Sequence, residues 1–256
     1  MHIKLNSILF IEMRIQYISD IHLEFYQTLP ENLLVPSAKI LCLAGDIGYP
    51  YSAIYEQFLV KVNKDFEKVF LITGNHEYYN AKGNRHHTME EIEEQIKQII
   101  RDLELNNITY LDNDYEDYEG FRFVGSTLWS KCDNGEGIND FRTIKEMSVV
   151  LYNELHEVSR HFLESEIVTE STLPVIVITH HLPSYRLIAD QYRANKAINM
   201  FFASDSDDLF VPTIKCWIYG HTHTGSEKEL DGIKFVCNPV GYPGENNSVI
   251  NMITDI

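Results

Sequence analysis

Five short apolar runs in this chain each end in a polar loop that carries side chains able to bind a metal ion. The runs are rich in β-branched residues, and the loops after them begin at Asp20, Gly45, Gly74, His180 and Gly220. Runs of this kind that stop at turn-forming residues predict β-strands. Because the carboxyl ends of strands in an α/β sheet meet at one edge and form a crevice there, we expect the five loops to converge.

The spacing of apolar residues predicts an α/β fold. Strands are predicted over residues 15–19, 40–44, 69–72, 108–111, 121–125, 175–179, 216–219, 233–237 and 249–253. Helices are predicted over 51–66, 88–105 and 144–166, and Thr88 and Glu91 are spaced to form a capping box for the second of them. The alternation of strands and helices indicates α/β architecture, and the denser strands after Thr172 indicate a second, meander-like sheet.

One domain is predicted over residues 13–256. The chain of 256 residues contains no internal repeat, low-complexity tract or Pro/Gly-rich linker that would divide it. The run that begins at Met13 leads directly into the first predicted strand. Residues 1–12 are therefore predicted to be a dispensable N-terminal extension, with Met13 as an alternative start, and they lack the features of a secretion signal.

The charge and the cysteines restrict the partners and the compartment. The formal net charge is −17, so most of the surface repels a nucleic-acid backbone and no long nucleic acid is expected as a partner. No apolar run reaches the length of a membrane span. Cys42, Cys132, Cys216 and Cys237 show no C-x-x-C spacing, and three of them lie in strand-like runs. This pattern favours buried, reduced thiols and a cytoplasmic protein.

Two of the loops repeat one spacing of ligand-type residues. Asp20 and His22 are two residues apart, which lets both side chains point towards one metal ion, and His221 and His223 have the same separation. Asp46 follows Gly45 at a strand end, where a glycine permits a tight turn and a close approach of the backbone. A carboxylate in that position can bridge two cations.

The third and fourth loops complete a mixed set of nitrogen and oxygen ligands. Asn75 offers a carbonyl oxygen, and either His180 or His181 offers an imidazole. A set without thiolates favours two Mn, Fe or Zn ions over a structural zinc or calcium site. Two such ions about 3.5–4 Å apart activate a bridging water and neutralise phosphoryl charge. His76, next to Asn75, is the candidate that protonates the leaving alkoxide.

These blocks resemble the calcineurin-like metallophosphoesterase superfamily. Its pattern is D-x-H, G-D, G-N-H-[ED], a histidine after a strand, and then G-H-x-H, and the match runs from Asp20 to His223 in the family order. The resemblance implies a four-layer α/β/β/α sandwich with two mixed sheets. It also implies His180 rather than His181 as a ligand, and a supporting role for Glu77.

The resemblance further implies how the ligands are divided between two metal ions. One ion would be held by Asp20, His22 and His223, and the other by Asn75, His180 and His221. Asp46 would bridge them, and His76 would lie near the leaving group.

Departures from the family pattern narrow the subfamily. Protein Ser/Thr phosphatases continue the second motif as G-D-x-x-D-R-G, whereas here Asp46 is followed by Ile-Gly-Tyr-Pro-Tyr, without the arginine that grips phosphate. His76 stands where lipid A precursor hydrolases carry arginine, and His22 is present where RNA lariat debranching enzymes tend to lose it. The chain is therefore similar to small stand-alone phosphoesterases, and Arg142 is the candidate phosphate clamp.

The sequence thus predicts a dinuclear-metal-dependent hydrolase of small phosphomonoesters or phosphodiesters. A metal-bridging hydroxide would be the nucleophile and His76 the general acid. One alternative is a nucleotide phosphodiesterase or nuclease, and tyrosines near the motif loops are candidates for stacking on a base. Another alternative is a noncatalytic scaffold, as in the retromer subunit that resembles this fold, but such a protein would be expected to lose ligands that are all present here.

Overall fold

Two mixed β-sheets lie at the centre of the part of the chain that the structure describes. The structure is a computed structural model and describes residues 13–80, 86–169, 172–245 and 252–256. The predicted extension over residues 1–12 lies outside the described residues, as does most of the predicted strand over 249–253.

The first sheet supplies three of the loops that carry ligand-type residues. It contains β1 (Arg14–Ile18), β2 (Ile40–Ala44), β3 (Lys68–Ile72), β4 (Ile108–Tyr110) and β11 (Ile253–Asp255). Their order is β11-β1-β2-β3-β4, with β1 to β4 parallel and β11 antiparallel to β1. Every residue of β2 and β3 is buried, as expected for parallel strands that are covered on both faces.

The second sheet supplies the other two loops. It contains β5 (Asp114–Tyr118), β6 (Phe121–Ser126), β7 (Val175–Thr179), β8 (Ile214–Tyr219), β9 (Ser226–Leu230) and β10 (Ile233–Cys237). The order is β5-β6-β7-β8-β10-β9. The inner strands are parallel, and β5 and β9 pair antiparallel at the edges.

The two sheets pack face to face through a shared apolar layer. Side chains of β1, β2 and β3 meet side chains of β6, β7, β8 and β10 in one buried cluster. Within it, the rings of Phe70 and Phe123 stack with centroids 4.0 Å apart. This packing brings the carboxyl ends of strands from both sheets to the same region of the molecule.

Helices cover the outer faces of the sandwich. They are α1 (Ala53–Asp65), α2 (Met89–Asp102), α3 (Asp140–Thr143), α4 (Val149–Glu164) and α5 (Lys196–Asn199). α1 and α2 pack on the first sheet, and the end of α4 packs on the second. In α2 the buried stripe is Ile92, Ile96 and Ile99, and Thr88 and Glu91 form the predicted capping box. The predicted four-layer α/β/β/α sandwich is confirmed.

The predicted strands before residue 240 begin and end within two residues of the observed ones, but some elements were not predicted. β5 and β9 are polar edge strands whose sequences, DYEDY and SEKEL, contain no apolar run. The third predicted helix, over 144–166, begins later, at Val149, because the Ser148 side chain accepts a hydrogen bond from the Leu151 N–H and caps it.

The cysteines agree with the expectation of buried thiols. All four cysteines are buried, and none is joined to another. Among the described residues, no helix combines the length and the apolar character needed to cross a bilayer.

Candidate metal centre

The five loops converge at the carboxyl ends of β1, β2, β3, β7 and β8. Backbone hydrogen bonds join them: the N–H of Asp20 donates to the Gly45 carbonyl at 3.0 Å, and the N–H of Gly220 donates to the His180 carbonyl at 3.0 Å. The His221 N–H donates to the Asp20 carboxylate at 3.0 Å, which connects a loop of the first sheet to a loop of the second. The convergence predicted from strand-end placement is therefore observed.

Asp20, His22 and His223 form one group of ligand atoms. One atom from each residue lies within 4.8 Å of the others. His22 Nε2 lies 3.0 Å from His223 Nε2, and His223 Nε2 lies 3.5 Å from Asp20 Oδ1. Asp20 and His22 are fully buried, so the group is closed to bulk water on that side.

Asp46, His180 and His221 form a second group within the same distance limit. His180 Nε2 lies 3.3 Å from Asp46 Oδ2, 3.2 Å from Asn75 Oδ1 and 3.2 Å from His221 Nδ1. Asp46 Oδ2 is also 3.9 Å from His22 Nε2, so this carboxylate lies between the two groups. The structure thus brings the sequence-predicted ligand residues together in two adjacent groups, and their assignment to two metal ions stays a prediction.

The imidazole rings are oriented as metal ligands. The nitrogen of each ring that faces away from the site has an acceptor: Glu24 for His22, the Ala44 carbonyl for His180, the Phe201 carbonyl for His221 and Glu245 for His223. These acceptors place the proton on the outer nitrogen and leave the lone pair of the inner nitrogen directed into the site. Unprotonated nitrogens that face each other at about 3 Å repel unless a cation lies between them, so the residues fit metal ions.

Glu77 holds two of the loops together. Its buried carboxylate accepts the N–H groups of Asp46 at 3.0 Å, Ile47 at 2.6 Å and Gly74 at 2.7 Å. Burial and the neighbouring Asp46 charge raise the pKa of Glu77 to about 7. The sequence prediction of a supporting role for Glu77 agrees with these contacts.

Gly74 allows the close approach of the second and third loops. A Cβ at this position would lie 2.2 Å from Asp46 Oδ1 and 2.7 Å from His180 Cε1. No side chain fits that space, so glycine is needed wherever Asp46 and His180 keep their positions.

The backbone of most proposed ligands is left-handed. The φ angle lies between 46° and 66° at five of them, which are Asp20, His22, Asp46, His221 and His223. Residues other than glycine adopt this region at a cost, and such residues cluster at functional sites.

His76 lies beside the two groups and points its ring towards the cleft. Its N–H donates to Asp46 Oδ1 at 2.7 Å, its Nδ1 lies 2.9 Å from Glu24 Oε1, and its Nε2 lies 3.4 Å from the Tyr242 hydroxyl. The ring stacks on Tyr79 with centroids 4.1 Å apart. Burial would lower the pKa of His76, but the Asp46 charge and the Glu24 hydrogen bond outweigh it and raise that pKa.

His181 lies outside both of these ligand groups and outside a third group of ligand-type atoms, which is formed by His22, Glu24 and His76. Its Nδ1 is 3.3 Å from the Thr127 carbonyl, and burial lowers its pKa to about 3. Its ring packs against the His221 ring with centroids 4.2 Å apart. The geometry therefore favours His180 over His181 as the ligand, in agreement with the family pattern.

Arg142 is exposed and is not among the residues that line the cleft. Its guanidinium donates to Asn139 Oδ1 at 2.9 Å. The neighbouring Asp140 lies in the cleft instead, where its carboxylate accepts hydrogen bonds from the Asn75 amide at 2.9 Å and from the Tyr79 hydroxyl.

Four further residues lie at the site but were not predicted from the sequence: Glu24, Asp140, Glu245 and Tyr242. Asp140 hydrogen-bonds to Asn75 across 65 residues of chain, and Tyr242 approaches His76 across 166, so no spacing rule could link them. Glu24 carried a signal, because it continues the two-residue spacing of Asp20 and His22.

The cleft in front of the two groups has a volume of about 500 Å³. Its wall includes Ile188, Tyr192, Ile198 and Tyr242, and the last three are between 40% and 51% exposed. Asp140 and Glu245 are the acids on the wall besides Asp46, and no Lys or Arg lines it within the described residues. The cleft is therefore apolar and aromatic on one side, and the described part of the chain places no Lys or Arg on it.

Comparison with known proteins finds a family and two similar proteins that match most of the chain. Residues 13–225 match the family described as calcineurin-like phosphoesterases. An uncharacterized protein of Acanthamoeba polyphaga mimivirus is 28% identical over 92% of this chain and 94% of its own. The crystal structure of a phosphopantetheinyl hydrolase from Mycobacterium tuberculosis is similar, with a TM-score of 0.71, 18% identity and 96% of each chain covered.

Proposed function

The chain belongs to the calcineurin-like phosphoesterase family, and on this premise we propose that it is a dinuclear-metal-dependent phosphodiesterase that acts on small diesters. The observation that carries the proposal is the pair of adjacent ligand groups with Asp46 between them. All the residues named for metal binding from the sequence take part in these groups or touch them. This convergence argues against a noncatalytic scaffold.

The chain's own residues define the metal sites. One ion would be held by Asp20, His22 and His223. The other would be held by Asn75, His180 and His221, and Asp46 would bind both. When bound, a pair of Mn, Fe or Zn ions would supply an activated water and neutralise charge on the phosphoryl oxygens. The buried carboxylates and the oriented imidazoles preorganise the site for such ions.

His76 is proposed as the general acid. The Nδ1–H of its ring donates to Glu24, so the Nε2 atom faces the cleft and can carry a second proton. That proton passes from Nε2 to the leaving oxygen of the ester as the bond to phosphorus breaks.

The cleft lining favours a diester over a monoester. A monoester is largely a dianion at neutral pH, whereas a diester carries one negative charge, and among the described residues this wall offers the carboxylates of Asp140 and Glu245 but no Lys or Arg. The second ester group of a diester can pack against Tyr192, Ile198 and Tyr242.

A nucleotide diester is the second candidate, because half-exposed tyrosines on a cleft wall can stack on a base. The net charge of −17 disfavours a long polynucleotide but not a dinucleotide or a cyclic nucleotide.

The test is a hydrolysis panel with added Mn. We expect kcat/KM for bis(4-nitrophenyl) phosphate to exceed that for 4-nitrophenyl phosphate by about tenfold or more, which corresponds to about 1.4 kcal/mol of transition-state stabilisation. The panel also contains a cyclic nucleotide, a dinucleotide and a phosphopantetheinyl diester, the last because a hydrolase of similar fold is named for that group. Preference for the monoester would overturn the diester proposal.

Arg142 remains a proposed substrate contact. Arg142→Ala is expected to raise KM for the preferred ester while leaving metal content unchanged. An unchanged KM would remove Arg142 from the site.

A further inference from the structure

We infer that Glu24 is a positioning residue that orients both the metal ligand His22 and the general acid His76 through one carboxylate oxygen. The inference rests on the proposed function and adds to it the group that aligns proton donation with the metal site.

The geometry around Glu24 is defined by two hydrogen bonds. Its side chain is only 3% exposed, and its Oε1 atom accepts from His22 Nδ1 at 3.0 Å and from His76 Nδ1 at 2.9 Å. Among the described residues, Oε2 has no hydrogen-bond partner. Both hydrogen bonds described for this carboxylate are therefore accepted from imidazole rings.

Glu77 is a useful contrast, because it is a buried glutamate of the same site with another task. Its carboxylate accepts three backbone N–H groups and thereby holds loops together. Glu24 accepts no described backbone N–H with its side chain, so its contacts do not fix the fold of a loop. They fix the orientation and the tautomer of two side chains.

The local chain places Glu24 where it can reach both rings. It lies in the short 3-10 turn Leu23–Phe25, which begins directly after His22. The rings of His22 and His76 lie edge to face, with centroids 4.4 Å apart at 73°. One oxygen between their Nδ1 atoms can therefore accept from both.

The shared oxygen sets the direction in which each ring acts. With Nδ1 donating to Glu24, His22 directs Nε2 towards His223 and Asp20, and His76 directs Nε2 towards the cleft and Tyr242. When His76 carries protons on both nitrogens, the Glu24 carboxylate compensates its charge in a buried place. A change at Glu24 should therefore affect proton donation more than water activation.

Leaving-group dependence tests this role. Bis(4-nitrophenyl) phosphate releases a good leaving group that needs little protonation, whereas diphenyl phosphate releases a poor one that needs an acid. We expect Glu24→Gln to lower kcat for diphenyl phosphate by about 10- to 100-fold and for bis(4-nitrophenyl) phosphate by less than about threefold, with KM and metal content little changed.

Glu245→Gln is the matched control. Glu245 accepts from the Nδ1 of the proposed ligand His223 at 2.8 Å, and no described contact joins it to His76. Its substitution should lower kcat for the two diesters by the same factor. An equal loss on both diesters in Glu24→Gln would overturn the inference, since it would place Glu24 with Glu245 as a support of a ligand only.

A double variant separates this inference from the proposed function. In a His76→Ala background, Glu24→Gln should lower kcat for diphenyl phosphate by no more than the factor seen on bis(4-nitrophenyl) phosphate, because the remainder of its effect acts through His76. If His76→Ala itself shows no leaving-group-dependent loss, the proposed acid is wrong. If His76→Ala shows a leaving-group-dependent loss and Glu24→Gln does not, only the inference about Glu24 fails. Glu24→Asp, which keeps the charge but shortens the reach, gives a second test should the glutamine variant not fold.

Discussion

At the scale of single residues, the site is defined by what lies behind each ligand. The inner nitrogens of four imidazoles face the proposed metal positions because their outer nitrogens have fixed acceptors. The Gly-Asp, Gly-Asn-His-Glu and Gly-His-x-His blocks were predictable, because ligand types at these spacings repeat after strands. Glu24, Asp140 and Glu245 were not, because a supporting carboxylate needs only proximity in space, which can come from any part of the chain.

The choice between two adjacent histidines gives the first prediction. His180→Ala should reduce bound metal from about two ions to about one per chain and lower kcat by 100-fold or more, since its Nε2 contacts Asp46, Asn75 and His221. His181→Gln is the control and should keep about two ions, because His181 lies in neither ligand group. Metal content measured by mass spectrometry decides between them, and metal loss only in the His181 variant would reverse the assignment.

The general acid gives the second prediction. His76→Ala should lower kcat by about 10²- to 10⁴-fold on diesters with poor leaving groups and leave metal content near two. The physical reason is that His76 touches the site through Asp46 and Glu24 but belongs to neither of the groups centred on Asp20 and Asp46. Unchanged turnover of diphenyl phosphate would remove His76 from the mechanism.

At the scale of elements, strand order explains why the site forms at one edge. Parallel strands bring their carboxyl ends together, and buried apolar runs made those strands predictable. The edge strands β5 and β9 were missed because one-sided pairing leaves them polar, and the short helices α3 and α5 were missed because four residues show no periodicity. Because α3 was not predicted, the position of Asp140 on that helix could not be predicted either.

The turn after β3 gives the third prediction. Gly74→Ala should weaken metal binding by about tenfold or more, because the added Cβ would lie 2.2 Å from Asp46 Oδ1 and must displace it. Gly225→Ala is the matched control, since a Cβ there would lie 3.6 Å from its nearest neighbour. Calorimetric titration with Mn compares the two, and equal affinities would show that the turn can relax without cost.

The contact of α2 with the chain after β4 gives a prediction about pH. Burial and the charge of Asp112 raise the pKa of Glu93 to about 7, above its ordinary value of 4.5. The folded state therefore holds a proton that the unfolded state releases, so the stability linked to Glu93 is complete below pH 4.5 and is lost as pH rises towards 7.

Glu93→Gln should remove the loss of folding stability that the ionised Glu93 carboxylate causes at high pH. At pH 8 the variant should be more stable than the parent protein by about 1 kcal/mol, and the difference should shrink towards zero near pH 4.5. Glu90→Gln, at an exposed position of the same helix, is the control. Urea unfolding at several pH values measures both, and a pH-independent difference would contradict the assignment to Glu93.

At the scale of the whole molecule, the candidate metal site connects the two sheets. Asp20, His22, Asp46 and Asn75 follow strands of the first sheet, and His180, His221 and His223 follow strands of the second. The general layout of the sandwich could be predicted from motif order, but the contacts that cross between the sheets could not, because packing between sheets leaves no local pattern in the sequence.

Metal removal gives the prediction at this scale. Ions that bind only the folded chain add about 2.7 kcal/mol to its unfolding free energy at 100 times their Kd, so EDTA should lower the Tm by roughly 5–10 °C and Mn should restore it. Asp46→Asn, which removes the charge between the two ligand groups, should largely abolish the response. A Tm that does not respond to EDTA or Mn would contradict a site built from both sheets.

The left-handed backbone of the proposed ligands lowers folding stability at the residues that activity requires. Each side chain held at such a φ costs the fold about 1–2 kcal/mol, a cost that glycine would not incur. Selection of variants for heat resistance alone, without metal, should therefore enrich glycine or asparagine at positions occupied by Asp20, His22, Asp46, His221 and His223. The selected variants would gain folding stability and lose catalytic activity. Only joint selection for stability and turnover would preserve the site.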